Sequence, residues 1–293
     1  MPLVETLGVT LCYETAGDPA GPALLLIHGH GAQLVAWHDG LVADLVERGF
    51  FTIRYDHRDA GLSTHLVDAP APDLGAIFWG DTTTMPYAIE DLADDAAGLL
   101  DALAIDAAHV LGVSMGGMVA QSLAIRHPSK TRSLTSVMST PDPLRVGTPT
   151  DEVAATMLEP GPTDRDGVVE QALQSWRRTG SPALGIDEEW VAETTALAYD
   201  RCFDPDGVTR QFAAILGSPD RRPGLGGVAV PTLVVHGAID PIVTLPGGEA
   251  TAAAVAGSRL LVIDQMGHDL PRVVWPEVLD AVCEVTGVAA AAR

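Results

Sequence analysis

Ser114 stands in GVSMG (residues 112–116), a G-x-S-x-G pattern set between two apolar runs. Where a strand turns sharply into a helix there is no room for side chains beside the serine, so glycines flank it and the hydroxyl projects from the tip. A serine hydroxyl is a useful nucleophile only when a base removes its proton and a third group holds that base. The chain supplies both: Asp240 follows the run TLVVHG, and His268 follows RLLVID in the loop QMGHDLP. If each leaves the carboxyl end of a strand, all three meet at one edge of a sheet. Asp264, at the end of the strand before His268, is the alternative orienting acid; Asp240 is preferred for its place in a loop beyond its strand. Otherwise Asp264 and Asp269, which flank the histidine, read as capping or solvated charges. His109 and His236 fall at or inside apolar runs and read as core or strand-edge histidines.

Acyl transfer also needs donors aimed at the oxyanion of a tetrahedral intermediate. The sequence ALLLIHGHGAQ (23–33) ends a buried run in a glycine-rich turn, which offers the backbone N–H of His30; Met115, next to the nucleophile, offers the second. His28, His30, Asp56, His57 and Asp59 are the candidate metal-ligand set. HGH lacks the neighbouring Asp-His of a binuclear site, and HGxG has the simpler use, so neither a metal nor any other cofactor is expected.

Apolar β-like runs at 23–28, 50–56, 109–114, 134–139, 232–237 and 259–264 alternate with helical patterns at 38–48, 90–104, 117–127, 247–256 and 274–285. Runs apolar throughout suit strands covered on both faces, so the fold class is α/β with a mostly parallel central sheet flanked by helices. From 141 to 227 no buried strand is evident, only amphipathic helical patterns bounded by proline and glycine. The expected organisation is therefore a core of residues 1–140 and 228–293 with a helical cap at 141–227, set against the plainer alternative of ordinary packing helices. Trp176, Trp190, Tyr199 and Phe203 from that segment are candidates for a pocket wall or for a core. The proline- and glycine-rich stretch 64–87 is long for a connection and reads either as a wall or as a surface excursion.

The 17 basic and 39 acidic residues leave a net charge of −22, which repels phosphate backbones and anionic lipid. Nucleic acid and membrane are not expected partners. No apolar stretch is long enough to span a bilayer, no export leader is evident, and the cytoplasm is the expected location. Three cysteines without C-x-x-C spacing read as buried free thiols.

IHGHG, RYDHRDAGLS, GVSMGG, HGAIDPI and MGHDLP, in this order, resemble the motifs of the α/β-hydrolase fold from end to end. The resemblance implies the chain order Ser, Asp, His for the triad, and a bracing role for Asp56 and Arg58 in the turn after the second core strand. YDHRDAGLST, GVSMGG and the opening GDPAGPALLLIHG are most similar to actinobacterial aclacinomycin-type methylesterases, which implies a helical cap and a carbomethoxy ester on a polyketide. The expected activity is a serine carboxylesterase acting on a small-molecule ester. C–C bond hydrolysis, lactone hydrolysis or perhydrolysis on the same triad, and a receptor that keeps the pocket without turnover, are the alternatives.

Overall fold

In Ala23–Ile27, Leu24 and Leu26 join one buried cluster and Leu25 and Ile27 another, because successive side chains of a strand point to opposite faces. Both faces must then be covered, and the computed structural model, which describes residues 1–157 and 159–288, shows how. The strands are β1 (Leu3–Thr6), β2 (Val9–Ala16), β3 (Ala23–Ile27), β4 (Phe51–Tyr55), β5 (Ala108–Val113), β6 (Thr131–Val137), β7 (Thr232–Gly237) and β8 (Arg259–Ile263). They form one sheet in the order β1-β2-β4-β3-β5-β6-β7-β8, parallel from β4 onward. β2 runs antiparallel to both of its neighbours.

The helices, in chain order, are α1 (Asp39–Glu47), α2 (Leu74–Phe78), α3 (Ile89–Ala102), α4 (Met115–Arg126), α5 (Asp151–Ala154), α6 (Arg165–Thr179), α7 (Glu188–Arg201), α8 (Pro205–Leu216), α9 (Arg222–Leu225), α10 (Pro246–Ala254) and α11 (Trp275–Thr286). α1 and α11 bury their apolar faces with Leu24 and Leu26, while α3 and α4 cover Leu25 and Ile27. No helix among the described residues is long and apolar enough to cross a membrane. β1 and β2 lie outside the six expected strands. They form a hairpin turning at Leu7 and Gly8, and both are only partly covered and carry polar residues among the apolar ones, so neither is a continuous apolar run.

Between β6 and β7 lie α5 to α9 and, among the described residues, no strand. Two buried ion pairs fasten this segment to the core: Arg201 of α7 with Asp56 (2.8 Å), and Arg210 of α8 bidentate with Asp59 (2.8 Å for each bond). α9 packs on α4 and α10, and Leu225 is fully buried in the sheet's cluster, so the last residues before 227 belong to the core layers. The 64–87 stretch contains α2, which packs against α8 and anchors itself with buried Ile77.

Removing Arg210 would leave the Asp59 carboxylate, 2% exposed, without its counter-charge. Arg210→Met is expected to lower unfolding free energy by about 3 kcal/mol, with part of the loss recovered in Asp59→Asn/Arg210→Met. Urea denaturation checks this; an Arg210→Met protein as stable as the parent contradicts it.

Candidate active site

β5 delivers the chain to Ser114 and α4 carries it away, with Ser114 itself at φ 56°, ψ −120°. Few non-glycine residues adopt such a backbone, and the surrounding structure must enforce it. It does so by contact: a Cβ on Gly112 would strike the Gly116 carbonyl, and a Cβ on Gly116 would strike the carbonyls that end β3. The start of α4 therefore lies directly on the β3 terminus, and the serine is pushed clear of both.

His268 follows β8 and Asp240 follows β7, and the structure brings both to Ser114. His268 Nε2 is 3.0 Å from Ser114 Oγ, and its Nδ1 is 2.7 Å from Asp240 Oδ2. An ionised Asp240 can only accept, so Nδ1 carries the proton and Nε2 is free to accept the serine's. The other Asp240 oxygen accepts the backbone N–H groups of Ile242 (2.9 Å) and Val243 (3.0 Å). His236, fully buried, donates Nε2–H to the Val243 carbonyl (2.7 Å), and burial lowers its pKa. His109, also buried, pairs with the Ser133 hydroxyl (2.8 Å). Asp264 is exposed and does not meet His268, whereas Asp269 is buried, not solvated, for the reason given below.

The turn after β3 passes beside the serine: a methyl on Gly29 would come 3.2 Å from Ser114 Cβ. Among the described residues, the backbone N–H groups of His30 and Met115 have no protein acceptor. Asp56 holds this turn by accepting the N–H of Leu34 (2.6 Å), and it accepts that of Leu62 (3.0 Å) in its own turn; Arg58 pairs with Asp95 instead (2.7 Å twice). The His30 ring leaves the turn toward α8, donating Nε2–H to the Val208 carbonyl (2.8 Å) and packing on Phe212. The ring borders the cavity that Ser114 opens on, and burial lowers its pKa.

That cavity, about 1380 Å³, has Ser114 and His268 in its wall together with Trp37, Met138, Phe212 and Trp275. Trp176 of α6 and Trp190 of α7 complete it, edge to face at 5.8 Å, and Leu74 and Phe78 of α2 bring the 64–87 stretch into the wall. Tyr199 and Phe203 do not line it. From Trp190 to Tyr199 is two and a half turns of α7, which sends Tyr199 to the opposite face. There its hydroxyl donates to the Thr163 carbonyl (3.0 Å), and Phe203, just past the helix, stacks on it in the open. Arg272, Asp187 and His38 add a polar patch to the wall, with Arg272 and Asp187 paired at 2.8 Å. Nothing in their separate sequence surroundings announces that patch, because each comes from a different part of the chain.

The expected metal-ligand candidates do not form one set. His57 is buried and donates to the His28 carbonyl (3.1 Å), and burial lowers the pKa of both rings to about 4. Asp59, His65 and Asp204 do approach one another, yet Arg210 already fills that space with bonds to both carboxylates.

A family model described as alpha/beta hydrolase fold matches residues 22–271. Rhodomycin D methylesterase DnrP of Streptomyces peucetius is 29% identical over 301 residues, 96% of each chain. 3-Oxoadipate enol-lactonase 2 of Acinetobacter baylyi is 28% identical over 259 residues, 87% of this chain and 85% of its own. The crystal structure of a hydrolase from Pseudomonas aeruginosa PA01 superposes with a TM-score of 0.74 at 28% identity, covering 98% of both chains. Sheet order, serine turn and relatives agree along nearly the whole length, and this hydrolase belongs to the α/β-hydrolase fold family.

Proposed function

We propose that the protein is a serine carboxylesterase that cleaves the methyl ester of a bulky, largely apolar, polyketide-like acid. The observation that carries this reading is the unbroken line from Ser114 through His268 to Asp240, opening on a cavity larger than the roughly 300–1,000 Å³ usual for a small-molecule site. The helical segment between β6 and β7 serves as the cap that shapes the cavity, and Trp176 and Trp190 are its substrate-facing aromatics. The name and full-length similarity of the rhodomycin D methylesterase favour a methyl ester.

Ser114 attacks the ester carbonyl while His268 Nε2 takes its proton. The His30 and Met115 N–H groups, with no protein acceptor of their own, receive the developing oxyanion. Asp240 keeps the imidazole in the tautomer that accepts from serine and stabilises its charged form. His268 then returns the proton to departing methanol, and water activated by the same ring releases the acid. A lactone is a cyclic ester and suits the same steps, which makes the relation to an enol-lactonase chemically consistent.

Ser114→Ala is expected to reduce turnover of an activated ester by on the order of 10⁶-fold. Near-parental turnover would remove Ser114 from the chemistry, and absence of fluorophosphonate labelling in a ligand-binding parent would favour a receptor. Asp240→Asn should cost about 10⁴-fold and Asp264→Asn nothing, both read as kcat on one ester; the reverse pattern would reassign the acid. Against a panel of methyl esters, lactones and vinylogous diketones, Trp176→Ala should raise KM for polycyclic methyl esters about tenfold and leave a small acetate ester unchanged. Preferential turnover of the diketones would point to C–C cleavage.

A further inference from the structure

The loop that carries His268 is held from two sides. On the core side, Ile239 beside Asp240 donates its N–H to the Met266 carbonyl (3.1 Å). On the other side the partner is the end of α6, in the cap. His268 N–H donates to the Thr179 carbonyl (2.7 Å), and Gly267 N–H donates to the Ser181 hydroxyl (2.8 Å). Ser181 in turn donates its O–H to one Asp269 oxygen and its N–H to the other (3.2 Å). Ser181 is fully buried and Asp269 is 2% exposed, and among the described residues no lysine or arginine accompanies this carboxylate. The contact is also close at the backbone, since a Cβ on Gly267 would run into the Thr179 and Gly180 carbonyls.

A buried carboxylate without a cation is costly, and burial does push the Asp269 carboxyl up. A solvated side chain at this position would avoid that cost. Its two oxygens are instead both engaged by one residue of the cap, directly next to the imidazole. We propose that Ser181 and Asp269 are positioning residues for His268, clasping the end of α6 to the histidine loop so that the imidazole stands in line with Ser114 and Asp240 only while the cap is docked. The proposal rests on the triad reading above. Its consequence is that cap displacement and loss of the base are one event: an opened site admits water and substrate but does not attack.

The test compares Ser181→Ala, Asp269→Asn and, as a control, Asp200→Asn, which breaks only the exposed α6–α7 pair with Arg165. Three quantities are read in the full-length protein: the rate of fluorophosphonate labelling at Ser114, kcat and KM for a small ester, and amide exchange over residues 265–270. Misplacing a reacting group by about 1 Å costs about 10²-fold, so Ser181→Ala should lose up to about that in labelling and kcat, with KM unchanged and faster amide exchange. Asp269→Asn keeps the shape but turns an N–H toward the Ser181 N–H, and should lose less in the same direction. Asp200→Asn should match the parent. A folded Ser181→Ala protein with parental labelling, kcat and exchange overturns the clasp. If Ser181→Ala does not fold, a parental Asp269→Asn does so. A parent that resists the fluorophosphonate defeats the triad reading instead, and amide exchange then decides the clasp alone.

Discussion

Asp240 has given up its water, and the donors that replace it organise everything around it. Two come from the backbone just beyond it and one from the imidazole of His268, so the carboxylate is satisfied only when its own loop is tightly turned and the loop after β8 lies against it. An ionised carboxylate left without any of these would be expensive at this depth. Stability of the folded loop and orientation of the histidine are therefore the same requirement. Ser114 meets it from the third side, pressed outward by a glycine-lined turn that no ordinary backbone would choose.

Around this point the helical segment between β6 and β7 is attached by polar bonds as well as by a shared apolar core. Arg201 reaches Asp56, which also holds the turn after β3, and Arg210 reaches Asp59 in the next turn. The end of α6 reaches the histidine loop. The segment thus touches the elements beside the turn of His30 and beside His268, while apolar residues such as Trp176 and Trp190 face the cavity between. Hydrogen-bonded attachments with good geometry are directional, so they set where a layer sits more sharply than apolar contact does.

The charge balance makes sense in the same terms. With far fewer basic than acidic residues, several arginines are nonetheless turned inward: Arg58, Arg201, Arg210 and Arg221 all make buried or largely buried bonds. Guanidinium forks bind carboxylates at two points, which suits anchoring. The acidic excess is left to the outside.

The strands of the parallel sheet, the helices over it and the serine turn were all legible because their signals are local: runs of apolar residues, a 3.6-residue period, and glycines beside one serine. That Asp240 and His268 follow strands ending at the same edge as Ser114 was legible from the apolar runs before them. Other features were settled only by which distant pieces came to lie together. Asp264 and Asp269 are the same residue type on either side of one histidine, yet one reaches solvent and the other meets Ser181, a partner 88 residues away. Trp190 and Tyr199 share a helix, and a half-turn separates cavity from surface. Neighbours in the chain dictate backbone shape, but burial and partnership belong to contacts between segments, and no single segment contains them.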